Sequence, residues 1–185
     1  MAGAHAEAAV EPPPSWDVYL ALPDEMRADY ADGVVPVHAL PTYGHQKLCL
    51  RLRDLIADQL GDSAVVALGV GWLLPGAAGA TVRVPDLMVM PEEPVTDIVT
   101  NAPPIVAEVL SANRSDDLVL KSPEYLAAGV EQYWILDPRD RVMDLFGRGT
   151  AGWERVARIT DAEPEAVVAV PELGTLTLSL TALLD

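Results

Sequence analysis

The sequence predicts an α/β protein of the mixed α+β kind, with a central mixed β-sheet flanked by helices. Two observations lead there. The elements run helix, strand, helix, several strands, helix, more strands, which is neither a regular βαβ alternation nor all-β. Two short apolar runs, "VRVPDLMVM" and "PIVAEVLS", lack the alternation of a half-exposed strand and read as strands buried on both faces. The chain has 185 residues, half of them apolar and 22% charged, which suits one domain with a substantial core. That domain is expected over residues 15–185. Residues 1–14, "MAGAHAEAAVEPPP", read as a loose tail rich in Ala, Glu and Pro.

Ser15 is placed to cap a short helix carrying Trp16, Tyr19 and Leu20. "DYADGVVPV" reads as a helix end or turn at Asp32-Gly33 passing into a strand. From Tyr43 to Leu60, the residues Leu48, Leu52, Leu55, Ile56 and Leu60 keep a helical period. "SAVVALGVGWLLPG" reads as a strand or hairpin, and the two buried strands follow. "SDDLVLKSPEYLAAG" reads as a kinked helix or two short ones ending at Gly129. Pro123 lacks an amide and crowds the preceding turn. "VEQYWILD" reads as a strand, "RVMDLFGRG" with "GWERVARI" as a hairpin, and "EAVVAV" and "TLTLSL" as two more strands.

The chain carries 28 acidic against 12 basic residues, a net charge of -16. Such an excess repels nucleic acid by default, although bound divalent metal reverses the sign at one site. The local basic groups are small: Lys47, Arg51 and Arg53 on one helix, and Arg139 with Arg141. The single cysteine, Cys49, reads as a helix core residue and fits a reducing, cytoplasmic setting. The N-terminus lacks the pattern of a secretory signal, and no run approaches the ~18 apolar residues of a membrane span.

Asp86 and Glu108 stand inside the two buried apolar runs. Desolvating an unpaired carboxylate is costly, so each needs a cation, backbone amides or a metal. Their hard oxygens suit Mg²⁺ or Mn²⁺. The bland alternatives are that Asp86 accepts a backbone bond at a strand end and that Glu108 pairs with Arg83 or Arg114. Asp117, Lys121 and Tyr125 lie four apart and share a helix face. Either Asp117 and Lys121 form an ordinary ion pair, or Lys121 leans over the two carboxylates with Asp117 positioning it. His45, on the long helix, is the one histidine noted for a site role, against a surface or capping role. No phosphate-binding glycine loop, zinc-type Cys/His cluster or nucleophile elbow is present in the sequence.

The ordered set "VPDLMVM", "PIVAEVLS", "DLVLK", a tyrosine and "GVEQYWILDP" resembles the Uma-two family of endonucleases. That family belongs to the restriction-endonuclease-like, PD-(D/E)xK superfamily. The resemblance runs from about Met26 to the C-terminus and includes Asp32-Gly33, His45 and "LGTLTLSL". It implies a mixed sheet with a divalent metal at its opened strands. It further implies that Asp86 and Glu108 bind the metal, with the Val109 carbonyl as a further ligand. Leu110 stands where the plain signature has its lysine, so the resemblance assigns that role to Lys121. Asp29 fills a position commonly Glu in the family and is implied as a further acidic ligand. Gln132 stands where the family usually has Glu, so any role of that carboxylate is lost.

The expected function is Mg²⁺- or Mn²⁺-dependent hydrolysis of nucleic-acid phosphodiesters, with DNA as the expected substrate and RNA or branched DNA as a weaker one. Asp86, Glu108 and Lys121 are the catalytic set. A homodimer is expected of a nuclease that must cut both strands, and Trp153 is a candidate contact unless it packs on the sheet. The rival reading is a catalytically degenerate module that binds a protein partner as a dimer.

Overall fold

The computed structural model describes residues 15–185 apart from 24–25, 77–79, 95 and 112–114. The side chains of residues 15 and 115–120 also lie outside that description. The expected tail, the Ser15 cap, Arg114 and the Asp117 side chain therefore fall outside the described residues.

Helix α1 spans Ser15–Leu20. The Asp32-Gly33 turn follows, with φ of 50° and 78°, the left-handed pair that a two-residue hairpin turn needs. It closes a short hairpin held by isolated bridges, Ala31 to Val34 and Ala28 to Val37, where a full strand was expected. Helix α2 spans Tyr43–Leu60, as its periodicity predicts. Thr42 caps it, accepting from the His45 amide at 3.3 Å. Its inward face carries His45, Cys49, Leu52, Ile56 and Leu60, spaced three and four apart.

The central sheet has six strands in the order β1-β4-β5-β6-β7-β8. They are β1 Val65–Leu68, β4 Leu87–Met90, β5 Ile105–Val109, β6 Gln132–Asp137, β7 Val142–Arg148 and β8 Trp153–Thr160. Only β5 and β6 pair in parallel, so the sheet is mixed. Their crossover is helix α3, Ser115–Ala127, since parallel neighbours cannot be joined by a tight turn. Pro123 sits inside α3, which runs as one helix where two short ones were an option. One missing amide does not end a helix that tertiary packing holds by Lys121, Tyr125 and Ala128. The chain leaves α3 through Gly129, whose φ of 102° disfavours any side chain.

Two expectations are corrected here. "SAVVALGVGWLLPG" is not a hairpin with itself: β1 joins the central sheet, while β2, Trp72–Leu73, pairs with β3, Val82–Arg83. "VRVPDLMVM" is not one strand. It breaks between β3 and β4 at Val84-Pro85-Asp86, because proline cannot donate to a ladder and restricts the residue before it. Asp86 consequently occupies a bend immediately before β4 rather than a mid-strand position.

Side chains alternate across the strands and build two cores. Leu87, Val89, Ile105, Ala107, Trp134 and Leu136 pack beneath α2. Strands β9, Glu165–Val170, and β10, Gly174–Ser179, form a separate antiparallel pair over that same face. Helix α4, Leu180–Leu184, completes it; five residues are too few for a periodic signal. On the other face Met88, Val106, Tyr133 and Trp72 pack with Tyr125 of α3. Trp134 is fully buried, and truncating such a side chain to alanine costs about 3–5 kcal/mol.

Candidate active site

The antiparallel register of β4 and β5 pairs Leu87 with Ala107. One residue further, Asp86 comes opposite Glu108, and the Asp86 amide donates to Glu108 Oε2 at 3.3 Å. Both residues are buried. The two carboxylates are anchored on different sides of the sheet. Tyr125 on α3 donates its hydroxyl to Glu108 Oε1 at 3.0 Å. Burial, with Glu108 beside it, holds the Tyr125 phenol well above its ordinary range, so it stays a donor.

Asp86 looks toward α2 and the N-terminal segment. Its Oδ2 accepts from the Val109 amide at 2.9 Å and lies 3.1 Å from His45 Nε2. Its Oδ1 accepts from Arg27 Nη2 at 2.8 Å, and the same nitrogen donates to the Val84 carbonyl. Arg27, His45, Val84 and Asp86 border a cavity of about 620 Å³ between the N-terminal segment and α2. The Val109 contact seen here is its amide; the resemblance implied its carbonyl.

Lys121 is buried, and its Nζ lies 3.1 Å from Asp29 Oδ2. Asp29 is itself buried and accepts from the Val84 amide at 2.9 Å, with His38 and Arg83 also against Oδ2. Burial alone would raise the Asp29 carboxyl. His38, Lys121 and the Val84 amide outweigh it and hold the group well below the usual carboxylate range. Arg83 continues the network with two bonds of 2.7 Å to Glu124 on α3.

Asp86, Glu108, Val109, Tyr125 and His45 are thus brought together; Asp29 and Lys121 pair with each other, and Asp29 also accepts from the Val84 amide. Gln132 is not brought in. It lies on the α2 side of the sheet, where it donates to the Ala169 carbonyl and accepts from Trp134 Nε1. Of the bland alternatives, Asp86 does accept a backbone amide, and Arg83 pairs with Asp29 and Glu124. Trp153 donates to the Ser122 carbonyl at 3.0 Å and packs on Tyr133, so it serves the fold.

Arg27, His38 and Glu124 carry no pattern in the sequence; only the fold brings them in. Cys49 was read as core alone, yet its Sγ lies 3.6 Å from His45 Nδ1. The i,i+4 spacing of His45 and Cys49 was a signal that could have found it.

Asp86 and Glu108, adjacent through the Asp86 amide, offer hard carboxylate oxygens of the kind a divalent ion takes, with water and phosphate completing its shell. A mixed sheet flanked by helices, with buried Asp86 and Glu108 at neighbouring strands, is the restriction-endonuclease-like arrangement that the resemblance implies. The model of the Uma2 family, described as "Putative restriction endonuclease", matches residues 16–181, and the chain belongs to that family. The fold is similar to a crystal structure from Anabaena variabilis described as "a putative nuclease belonging to DUF820". The TM-score is 0.71 at 24% identity, over 91% of this chain and 96% of that one. No curated protein matches. Among the described residues, no helix is long and apolar enough to cross a membrane.

Proposed function

We propose that the protein is a Mg²⁺- or Mn²⁺-dependent endonuclease that hydrolyses DNA phosphodiesters. The observation that carries this reading is the contact of buried Asp86, at the bend before β4, with buried Glu108 on β5 through the Asp86 amide. A divalent ion held by these carboxylates would supply Lewis-acid polarisation of the phosphate and an activated water. Tyr125 and the Asp86 amide fix the Glu108 carboxylate. Val109 and His45 fix Asp86, and Arg27 must share that carboxylate with the ion. Lys121 carries a positive charge on the helix beside Glu108, suited to offsetting charge that develops on phosphate. Asp29 is a positioning residue that holds Lys121.

A homodimer in the cytoplasm suits cleavage of both strands and the single thiol. One nuclease domain spans residues 15–185 under this proposal. The test is cleavage of supercoiled plasmid and of RNA with Mn²⁺, using the protein and Glu108→Gln and Lys121→Ala. The expected result is plasmid nicking abolished by chelator and reduced at least about 100-fold in both variants. Activity indifferent to both substitutions contradicts the assignment.

A second reading has one observation in its favour: Arg27 already neutralises Asp86 at 2.8 Å. Under it the protein is a catalytically degenerate dimeric scaffold for a protein partner. Absence of Mn²⁺ binding by the folded protein selects it.

A further inference from the structure

His45, Cys49 and Asp86 form a three-donor group that shares Asp86 with the acidic pair. One atom from each lies within 4.8 Å of the other two, and all three residues are buried. Four observations point beyond core packing. His45 and Cys49 stand one helical turn apart on α2, both facing inward. The third donor arrives from the bend before β4, more than thirty residues away in sequence, so two elements converge. The donors are an imidazole, a thiol and a carboxylate, which is a set chosen by Zn²⁺-class ions and refused by Mg²⁺. The group borders the cavity, which gives an ion a way in.

The spacing is close to what coordination requires. Tetrahedral Zn²⁺, with bonds of about 2.0 Å to N and O and about 2.3 Å to S, sets its donors roughly 3.3–3.8 Å apart. His45 Nε2 to Asp86 Oδ2 is 3.1 Å and Cys49 Sγ to His45 Nδ1 is 3.6 Å. These two contacts use opposite ring nitrogens, and an ion takes one of them; one donor atom from each residue lies within 4.8 Å of the other two, so the three donors close in when the ion binds. The thiolate and the carboxylate together balance the ion's double charge. Binding releases the thiol proton to solvent, and water from the cavity supplies the fourth ligand.

We propose that His45, Cys49 and Asp86 are a Zn²⁺-class metal site that takes Asp86 away from the Mg²⁺/Mn²⁺ pair and so blocks the nuclease centre. The site itself stands on its own donors; the blocking rests on the reading given under Proposed function. Zn²⁺ and Co²⁺ exceed Mn²⁺ in affinity at such N, S and O donors, so the softer ion wins Asp86 wherever it is available.

Co²⁺ is the probe, titrated into the full chain and read by absorption. The expected result is a saturable thiolate-to-cobalt charge-transfer band. Cys49→Ser removes the band with the circular dichroism intact, His45→Ala weakens Co²⁺ binding about tenfold or more, and Glu108→Gln leaves the band unchanged. No band, or a band that survives Cys49→Ser, overturns the site. Mn²⁺ binding is then followed by electron paramagnetic resonance while Zn²⁺ is added. Displacement of Mn²⁺ from the protein, about tenfold less effective in Cys49→Ser, supports the shared carboxylate. Zn²⁺ that binds without displacing Mn²⁺ overturns the blocking and leaves the site. Mn²⁺ that never binds overturns the blocking together with the nuclease reading, while the Co²⁺ band decides the site separately.

Discussion

Two ion pairs on this sheet look alike in distance and differ in everything else. Arg27 meets Asp86 at 2.8 Å before β4, and Arg158 meets Asp144 at 3.0 Å on the β7–β8 hairpin. The Asp86 side chain is fully buried and its arginine is 16% exposed, whereas the Asp144 pair is 19% and 48% exposed. At the hairpin, water and salt screen the charges and the pair holds little energy. In the centre each charge has lost its water, so every carboxylate is fixed by several donors at once. Proximity of opposite charges alone therefore says little about function. Burial with shared donors marks the centre as the place where a cation or a phosphate would change the balance.

The sharpest way to break this contrast is to remove Asp29. Asp29→Ala leaves Lys121, Arg83 and His38 without their shared carboxylate, and is expected to cost about 3–5 kcal/mol in denaturant unfolding. Next in size is Gln132→Glu. A carboxylate facing the Ala169 carbonyl replaces a donor with an acceptor, so stability falls by about 1–3 kcal/mol at neutral pH. Mn²⁺ binding is expected to stay unchanged, because Gln132 faces away from Glu108; a change in metal affinity would return Gln132 to the site. Smallest is Asp144→Ala, expected at about 0–1 kcal/mol and weaker still in high salt.

Acid distinguishes the same two regions. The Asp29 carboxyl lies below its unfolded value, so its contribution is complete above the unfolded range of about pH 4–5 and is lost as pH falls below it. Asp29→Asn should flatten that part of the stability-versus-pH curve. Asp144→Ala should leave it as it is.

Much of the centre was legible in the sequence. Asp86 and Glu108 stood out because apolar runs rarely hold carboxylates, and α2 because its period is unbroken over five turns. The breaks came where a local pattern competes with the fold. Pro85 split one apolar run into β3 and β4, and Pro123 failed to split α3. Arg27 was not legible, since it reaches Asp86 across 59 residues with no periodic signature. The sequence leaves Lys121 either in an ion pair with Asp117 or leaning over Asp86 and Glu108; its described ion pair is with Asp29. Cys49 reads as buried and is so; its i,i+4 spacing places it beside His45, and the fold alone adds Asp86.

The most direct test of the central claim is a calorimetric titration of Mn²⁺ into the protein, Asp86→Asn and Glu108→Gln. The account predicts saturable binding in the unaltered chain and its loss in both variants with the fold intact. Binding that survives both substitutions, or no binding at all, would contradict a metal-dependent centre at Asp86 and Glu108.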